Sequence, residues 1–241
     1  MNILENLLDS LNTQSPVYDI RQGLFHTAVV TRHCGLAATL PKDSLRQKPP
    51  LMPRAGELLE LSALELARLS LSDSIPEAAV GMAAINSLLD VDEKRCIERN
   101  AADLILEKGA GKRVAIVGHF PFVPRVKETA AQLWVIEKNP AADDLDERAA
   151  PEVIPEADVV AVTGTALTNH TLRGLLGLCR PDAFVVLLGD TVPVSPLLFD
   201  LGVDALSGTR VVDTETVLRC VSQGANYRQI KGIRKVTMMK R

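Results

Sequence analysis

Four apolar, β-branched runs in the second half of the chain constrain its fold more than any other feature. They cover residues 113–118, 133–137, 158–164 and 183–190, with a weaker fifth at 203–208. Each is apolar almost without a break, the pattern of strands buried on both faces. Helical segments separate them, at about 124–131, 167–179, 195–201 and 213–223. Strand alternating with helix predicts an α/β unit built on a doubly wound, mostly parallel sheet.

The first half has a different rhythm. Ile3, Leu4, Leu7, Leu8 and Leu11 recur at helical spacing over residues 2–14, with Asn2 placed to cap. Short β-branched runs at 17–20, 25–31 and 36–40 predict an antiparallel meander. A proline-rich loop runs from Pro41 to Pro53, followed by a helix over about 56–71. Ser74 and Glu77 have the spacing of a capping box for a helix rich in small residues that reaches about Leu89. Another helix starts at Asn100 and ends before Gly109. These elements predict a small α+β domain over 1–110 and the doubly wound domain over 111–241, divided near Gly109-Ala110-Gly111.

Composition excludes several classes. The net charge of −3 lacks the basic excess of a dedicated nucleic-acid binder. No apolar run reaches the roughly 18–20 residues of a membrane helix, and the N-terminus has no signal-peptide pattern. A cytoplasmic protein with no membrane partner is expected, and a homo-oligomer is compatible with the composition. Cys34, Cys96, Cys179 and Cys220 form no C-x-x-C pair, so they read as small buried hydrophobes rather than a zinc site. The nucleophile elbow, the phosphate-binding P-loop and the H-E-x-x-H helix do not occur. The basic C-terminal residues, among them Arg228, Arg234 and Lys235, read as a solvated end. The acidic stretch 143–147 reads as an exposed loop.

Ligands of open parallel sheets bind outside the carboxyl ends of the strands. That rule selects Gly118, His119, Phe120 and Pro121 after the first strand, and Glu137 at the end of the second. It also selects Thr163, Gly164, Thr165 and Asn169 after the third, and Gly189, Asp190 and Ser195 after the fourth. Gly118 with Glu137 nineteen residues later matches part of a dinucleotide fingerprint. Phe120, Pro121, Phe122 and Pro124 replace its remaining glycines, which argues against ordinary NAD binding. His119 suits metal ligation or proton transfer. The threonine-rich segment suits an anion or simple capping, and Ser195 before Pro196 suits a helix cap.

The loop Gly118-His119-Phe120-Pro121-Phe122, with Glu137, the run 157–167, the segment 195–199 and Gly81–Asn86, resembles a family catalogued as a domain of unknown function and described as putative heavy-metal chelation. The resemblance covers most of the chain. It implies a small enolase-N-terminal-like α+β domain followed by a Rossmann-like domain, with a site in the cleft between them. The first domain would contribute Asn86. Within that cleft His119, Glu137 and Asp190 offer nitrogen and oxygen donors for a transition or heavy metal. The expected function is binding of a small anionic metabolite, a heavy metal or a metal-chelate complex. An enzyme using a nucleotide-derived cofactor, with Glu137 on a ribose, is the alternative, and an interaction module the third reading.

Overall fold

The computed structural model describes residues 3–40 and 49–241. The Asn2 cap and most of the loop expected over 41–53 lie outside them. Helix α1 (Ile3–Ser10) buries Leu4, Leu7 and Leu8, the stripe that its periodicity predicts. Strands β1 (Asp19–Gln22), β2 (His26–Val30) and β3 (Cys34–Ala38) form the antiparallel meander.

The single helix expected over 56–71 is broken into a 3-10 turn (Leu58–Glu60), α2 (Ala63–Arg68) and a second 3-10 turn (Leu69–Leu71). Ser62 starts α2 with a true capping box: its hydroxyl accepts from the Glu65 amide at 3.2 Å, and the Glu65 carboxylate accepts from the Ser62 amide at 2.8 Å. The box expected at Ser74 does not form. Before α3 (Ile75–Leu88), the Ser74 hydroxyl turns back to the Leu51 carbonyl, and Glu77 is engaged by the Ser72 hydroxyl at 2.5 Å. Helix α3 is buried almost all round. Small residues let two backbones approach it. A Cβ on Gly81 would sit 1.9 Å from the Ser70 amide nitrogen, and one on Gly35 of β3 would sit 2.1 Å from the Ala83 carbonyl oxygen.

The rest of the chain builds an eight-stranded sheet. In chain order come β4 (Cys96–Ile97), α4 (Ala101–Gly109), β5 (Arg113–Val117), α5 (Val123–Thr129), β6 (Gln132–Glu137), β7 (Leu145–Asp146) and α6 (Ala150–Val153). Then follow β8 (Val159–Thr163), α7 (Thr165–Thr168), α8 (Leu172–Leu176), β9 (Phe184–Leu188), a 3-10 turn (Pro196–Leu201), β10 (Ala205–Val211), α9 (Thr214–Ser222) and β11 (Ile233–Met239). The strand order is β4-β11-β10-β9-β8-β5-β6-β7. Strands β5 to β10 are parallel and run in the doubly wound order, so the topological switch falls between β5 and β8. Strand β11 is antiparallel to β10 and to β4.

Two readings of the second half are corrected here. The basic end is not merely solvated, because Ile233–Met239 pairs along all seven residues of β10 and buries Val236 and Met238. The helix expected over 167–179 is two short pieces, split where His170 takes a positive φ of 59°.

Alternate residues of each apolar run enter different cores. Val160 and Val162 of β8 join a core with Met82, Ile85 and Leu88 of α3. Val159 and Ala161 join Leu104 and Ile105 of α4 and Val126 of α5. Helix α9 in turn packs Val217, Leu218 and Val221 on Ala28 and Leu36 of the meander. At the other end of the strands, Asp158 accepts from the Arg113 amide at 2.9 Å and from the Arg113 and Arg180 guanidinium groups.

These contacts generate two predictions. Gly81→Ala should lower stability by about 3 kcal/mol or more, because its Cβ meets backbone that cannot yield. Gly174→Ala in α8 meets nothing within 4 Å and should be neutral or stabilising by up to ~1 kcal/mol; urea unfolding reads both. The Arg113 hydrogen bonds hold the Asp158 carboxyl well below its ordinary value of 3.8. A depressed carboxyl contributes stability that is complete above the ordinary value and fades as pH falls through the depressed one. The stability gap between wild type and Asp158→Asn should therefore be constant near neutrality and narrow below about pH 4, in urea melts run across pH.

Candidate functional site

The carboxyl edge of the parallel strands opens into two cavities that meet at the loop after β5. His119, Phe120, Thr163 and Thr165 line both. Gly118 turns the chain there with a φ of 104°. A Cβ on it would lie 3.1 Å from the Phe120 ring and 3.1 Å from Cβ of Thr163, so glycine is required twice over. Phe120 stacks on Phe122, ring centroids 5.2 Å apart.

The first cavity, about 800 Å³, lies between the meander and the ends of β8, β9 and β10. Four cationic side chains line it: Arg99, which is paired with Glu107, Arg125, which lies 3.4 Å from Asp103, and Arg228 and Lys235. Lys235 sits 4.6 Å above the Tyr227 ring, and Arg228 makes no ion pair among the described residues. The lining includes one carboxylate, Asp190. Of the chain's five phenylalanines and two tyrosines, Phe25, Phe120, Phe122 and Tyr227 are here.

Asp190 is buried and engaged. Its Oδ2 lies 2.9 Å from Nε2 of His26, and its Oδ1 accepts from the Thr209 hydroxyl at 2.6 Å. His26 is also buried, and its Nδ1 lies 3.1 Å from the Ala225 carbonyl oxygen. A carbonyl oxygen only accepts, so Nδ1 carries a proton. A second proton therefore lies between Nε2 and the Asp190 carboxylate. This pair ties β2 of the meander to the end of β9. Asn86 of α3 reinforces the tie, its amide donating to the carbonyls of Leu36 at 2.8 Å and of Thr191 at 3.3 Å.

The second cavity, about 1070 Å³, lies outside β5 and β6. His119 donates from Nδ1 to Asp144 at 2.9 Å, which leaves Nε2 without a partner among the described residues. The Asp144 carboxylate is turned inward, its side chain only 3% exposed, so the acidic stretch is not wholly an exposed loop. Glu137 accepts the His119 amide at 3.1 Å on one oxygen and the Lys138 amide at 2.9 Å on the other.

The structure distributes the sequence-selected residues rather than gathering them. Gly118, Glu137 and Asn169 line the second cavity; Pro121, Gly164, Gly189 and Asp190 line the first. Asn86 and Ser195 line neither. Ser195 is buried before the Pro196–Leu201 turn and makes no capping bond. Helix α7 is a single turn, and Thr163 is hydrogen-bonded to Thr165 at 3.0 Å, so the threonine segment is no anion-binding helix end. His119, Glu137 and Asp190 do not converge as a ligand set, because Asp190 faces His26 in the other cavity. Among the described residues no group of three or more His, Cys, Asp or Glu is arranged to hold a metal ion. The four cysteines are free. Burial pushes the Cys34 thiol up to about 12 and Cys179 to about 11, so neither offers a ready thiolate. The donors present do not fit a bare ion.

Sequence reasoning did not select Arg99, Arg125, Arg228 and Lys235 as a group, nor did it pick out His26 as a site residue. The signal for Lys235 was the strand hidden in the basic tail, where Val236 and Met238 alternate inward.

The buried pair generates a prediction. His26→Ala and Asp190→Ala should each cost about 3–5 kcal/mol, because each leaves its partner buried and uncompensated. The double variant should cost clearly less than the two together, measured as a double-mutant cycle in urea.

Comparison with known proteins places the chain. Profiles of two families, DUF364 and DUF4213, both described as "Putative heavy-metal chelation", match residues 100–240 and 4–89. A protein of Methanocaldococcus jannaschii described as uncharacterized is 27% identical over 176 residues, which cover 69% of this chain and 68% of that one. The crystal structure of a DUF364 protein of unknown function from Desulfitobacterium hafniense superposes with a TM-score of 0.88 at 27% identity, over 99% of this chain and 98% of that one. A DUF364 structure from Pyrococcus horikoshii shares the fold with a TM-score of 0.85 at 24% identity, over 99% and 98% of the two chains. With its carboxyl-terminal 141 residues matched by the DUF364 profile and most of the remainder by its companion, the chain belongs to the DUF364 family.

Proposed function

We propose that this protein binds a small organic anion, either a metabolite or a metal held in an anionic chelate, in the cavity between the meander and β8–β10. One observation carries the reading: Arg228 and Lys235, which make no ion pair among the described residues, line a cavity together with Arg99 and Arg125, and the one carboxylate among its described lining residues is paired with His26. The excess of positive charge selects an anion, and the low dielectric of a partly enclosed pocket strengthens that selection. The aromatic lining suits a ligand with an apolar or planar part. On this reading the metal of the family description arrives already chelated, a reading supported by the scattered donors described above.

The test is calorimetric titration with citrate, nitrilotriacetate and their Fe(III) and Ni(II) complexes, beside the free metal ions. Binding of a chelator or complex should weaken about tenfold or more in Arg228→Ala and decline with salt. Stoichiometric binding of a free ion that is lost in His119→Ala, with no response to any chelator, would overturn the reading.

A further inference from the structure

The second cavity has a chemistry opposite to the first. It is lined by Glu137, Asp144 and Glu147 against Lys138 and Arg148, and Arg148 is already paired with Asp146 at 2.7 Å. Its position is specific. It lies outside the ends of β5 and β6, beside the topological switch, where a doubly wound sheet holds the ribose of a nucleotide. Glu137 ends β6 where the ribose-binding acid would stand. Each of its oxygens accepts one backbone amide and retains a second acceptor site. Apolar walls come from Ile136, from Ala150 and Pro151 of α6, and from Gly174 and Leu175 of α8.

The loop after β5 offers few amides to a phosphate. The amide of His119 is engaged by Glu137, and that of Val123 by the Phe120 carbonyl. Pro121 and Pro124 have no amide to give. The Phe120 ring lies over Gly118, where a pyrophosphate would have to approach the backbone.

We propose that this second cavity is a separate binding site for a nucleoside without a 5′-phosphate. Its ribose hydroxyls donate to Glu137, and its base lies in the apolar slot between α6 and α8. The site is independent of anion binding in the first cavity, although His119 and Phe120 border both.

Calorimetric titration of the whole protein with adenosine, guanosine, cytidine and uridine, beside AMP and NAD, tests this. At least one nucleoside should bind at millimolar concentration or below, and its 5′-monophosphate should bind at least ~10-fold more weakly. Glu137→Gln should weaken the nucleoside about tenfold. Gly174→Phe should abolish it by filling the slot; a Cβ there meets open space, so the variant should fold, and its urea midpoint checks that. Arg228→Ala, in the other cavity, should leave nucleoside affinity unchanged while weakening the anion. Binding of AMP or NAD as tightly as the nucleoside would overturn the proposal. So would the absence of response to all four nucleosides, or nucleoside binding that survives Gly174→Phe and is lost in Arg228→Ala. Failure of the anion titration alone leaves these readouts intact, so the two readings fail separately.

Discussion

The close packing of α3 between two stretches of backbone is the constraint on which the rest of the molecule depends. Gly35 admits the helix to the face of β3, and Gly81 admits the 3-10 turn at Ser70 to the helix. Neither approach tolerates a Cβ. The consequence is geometric. With α3 pressed onto the meander, its Met82, Ile85 and Leu88 share a core with the residues of β8 and β9 that face the same way. The meander is thereby carried to the carboxyl edge of the large sheet, where His26 reaches Asp190. A parallel sheet needs cover on both faces. Here α4 and α5 cover one face, and the small unit contributes to covering the other while also roofing a binding cavity.

That arrangement explains why the polar tie is buried. A strand of the meander and the end of β9 come from distant parts of the chain, and hydrophobic contact alone leaves their register loosely defined. The His26–Asp190 pair, with Thr209, Ala225 and Asn86 around it, satisfies every buried polar atom it uses. A satisfied buried network fixes one arrangement, whereas a half-satisfied one would cost more than an apolar contact. The same pair engages the one acid among the described residues that line the first cavity, beside the unpaired Arg228 and Lys235.

Much of the fold was legible because buried parallel strands are written as apolar runs. All five runs became strands, and the meander appeared where short β-branched segments predicted it. The omissions have physical reasons. Strand β7 is two residues long, too short for any period. Strand β11 carries Arg234 and Lys235 near an edge and so resembles a solvated tail, although its partner β10 buries Val236 and Met238. The Ser74 box matched in spacing, yet local chain direction gave Glu77 to Ser72 instead. For the site, the strand-end rule selected the right edge of the sheet. It could not say that this edge is divided by the His119–Phe120 loop, because that division depends on where the meander and α8 lie. Charges contributed by the segment before α4, by α5, by the loop before β11 and by β11 itself converge only in three dimensions.

The sign of the first cavity bears on what chelation can mean in this family. A unit charge about 8 Å from another, in an effective dielectric of about 20, interacts by roughly 2 kcal/mol, and a divalent ion doubles that. A bare cation entering beside Arg228 and Lys235, which make no ion pair among the described residues, would therefore meet repulsion from both, with Asp190 held by His26. A metal enclosed by carboxylates carries net negative charge, and the same two residues would attract it. The organic shell also supplies the coordination that the scattered donors of this chain do not. On the proposed reading the protein would recognise the shell, through charge and aromatic contact, and selectivity among metals would follow from which complexes share that shape and charge rather than from a coordination sphere built of protein side chains.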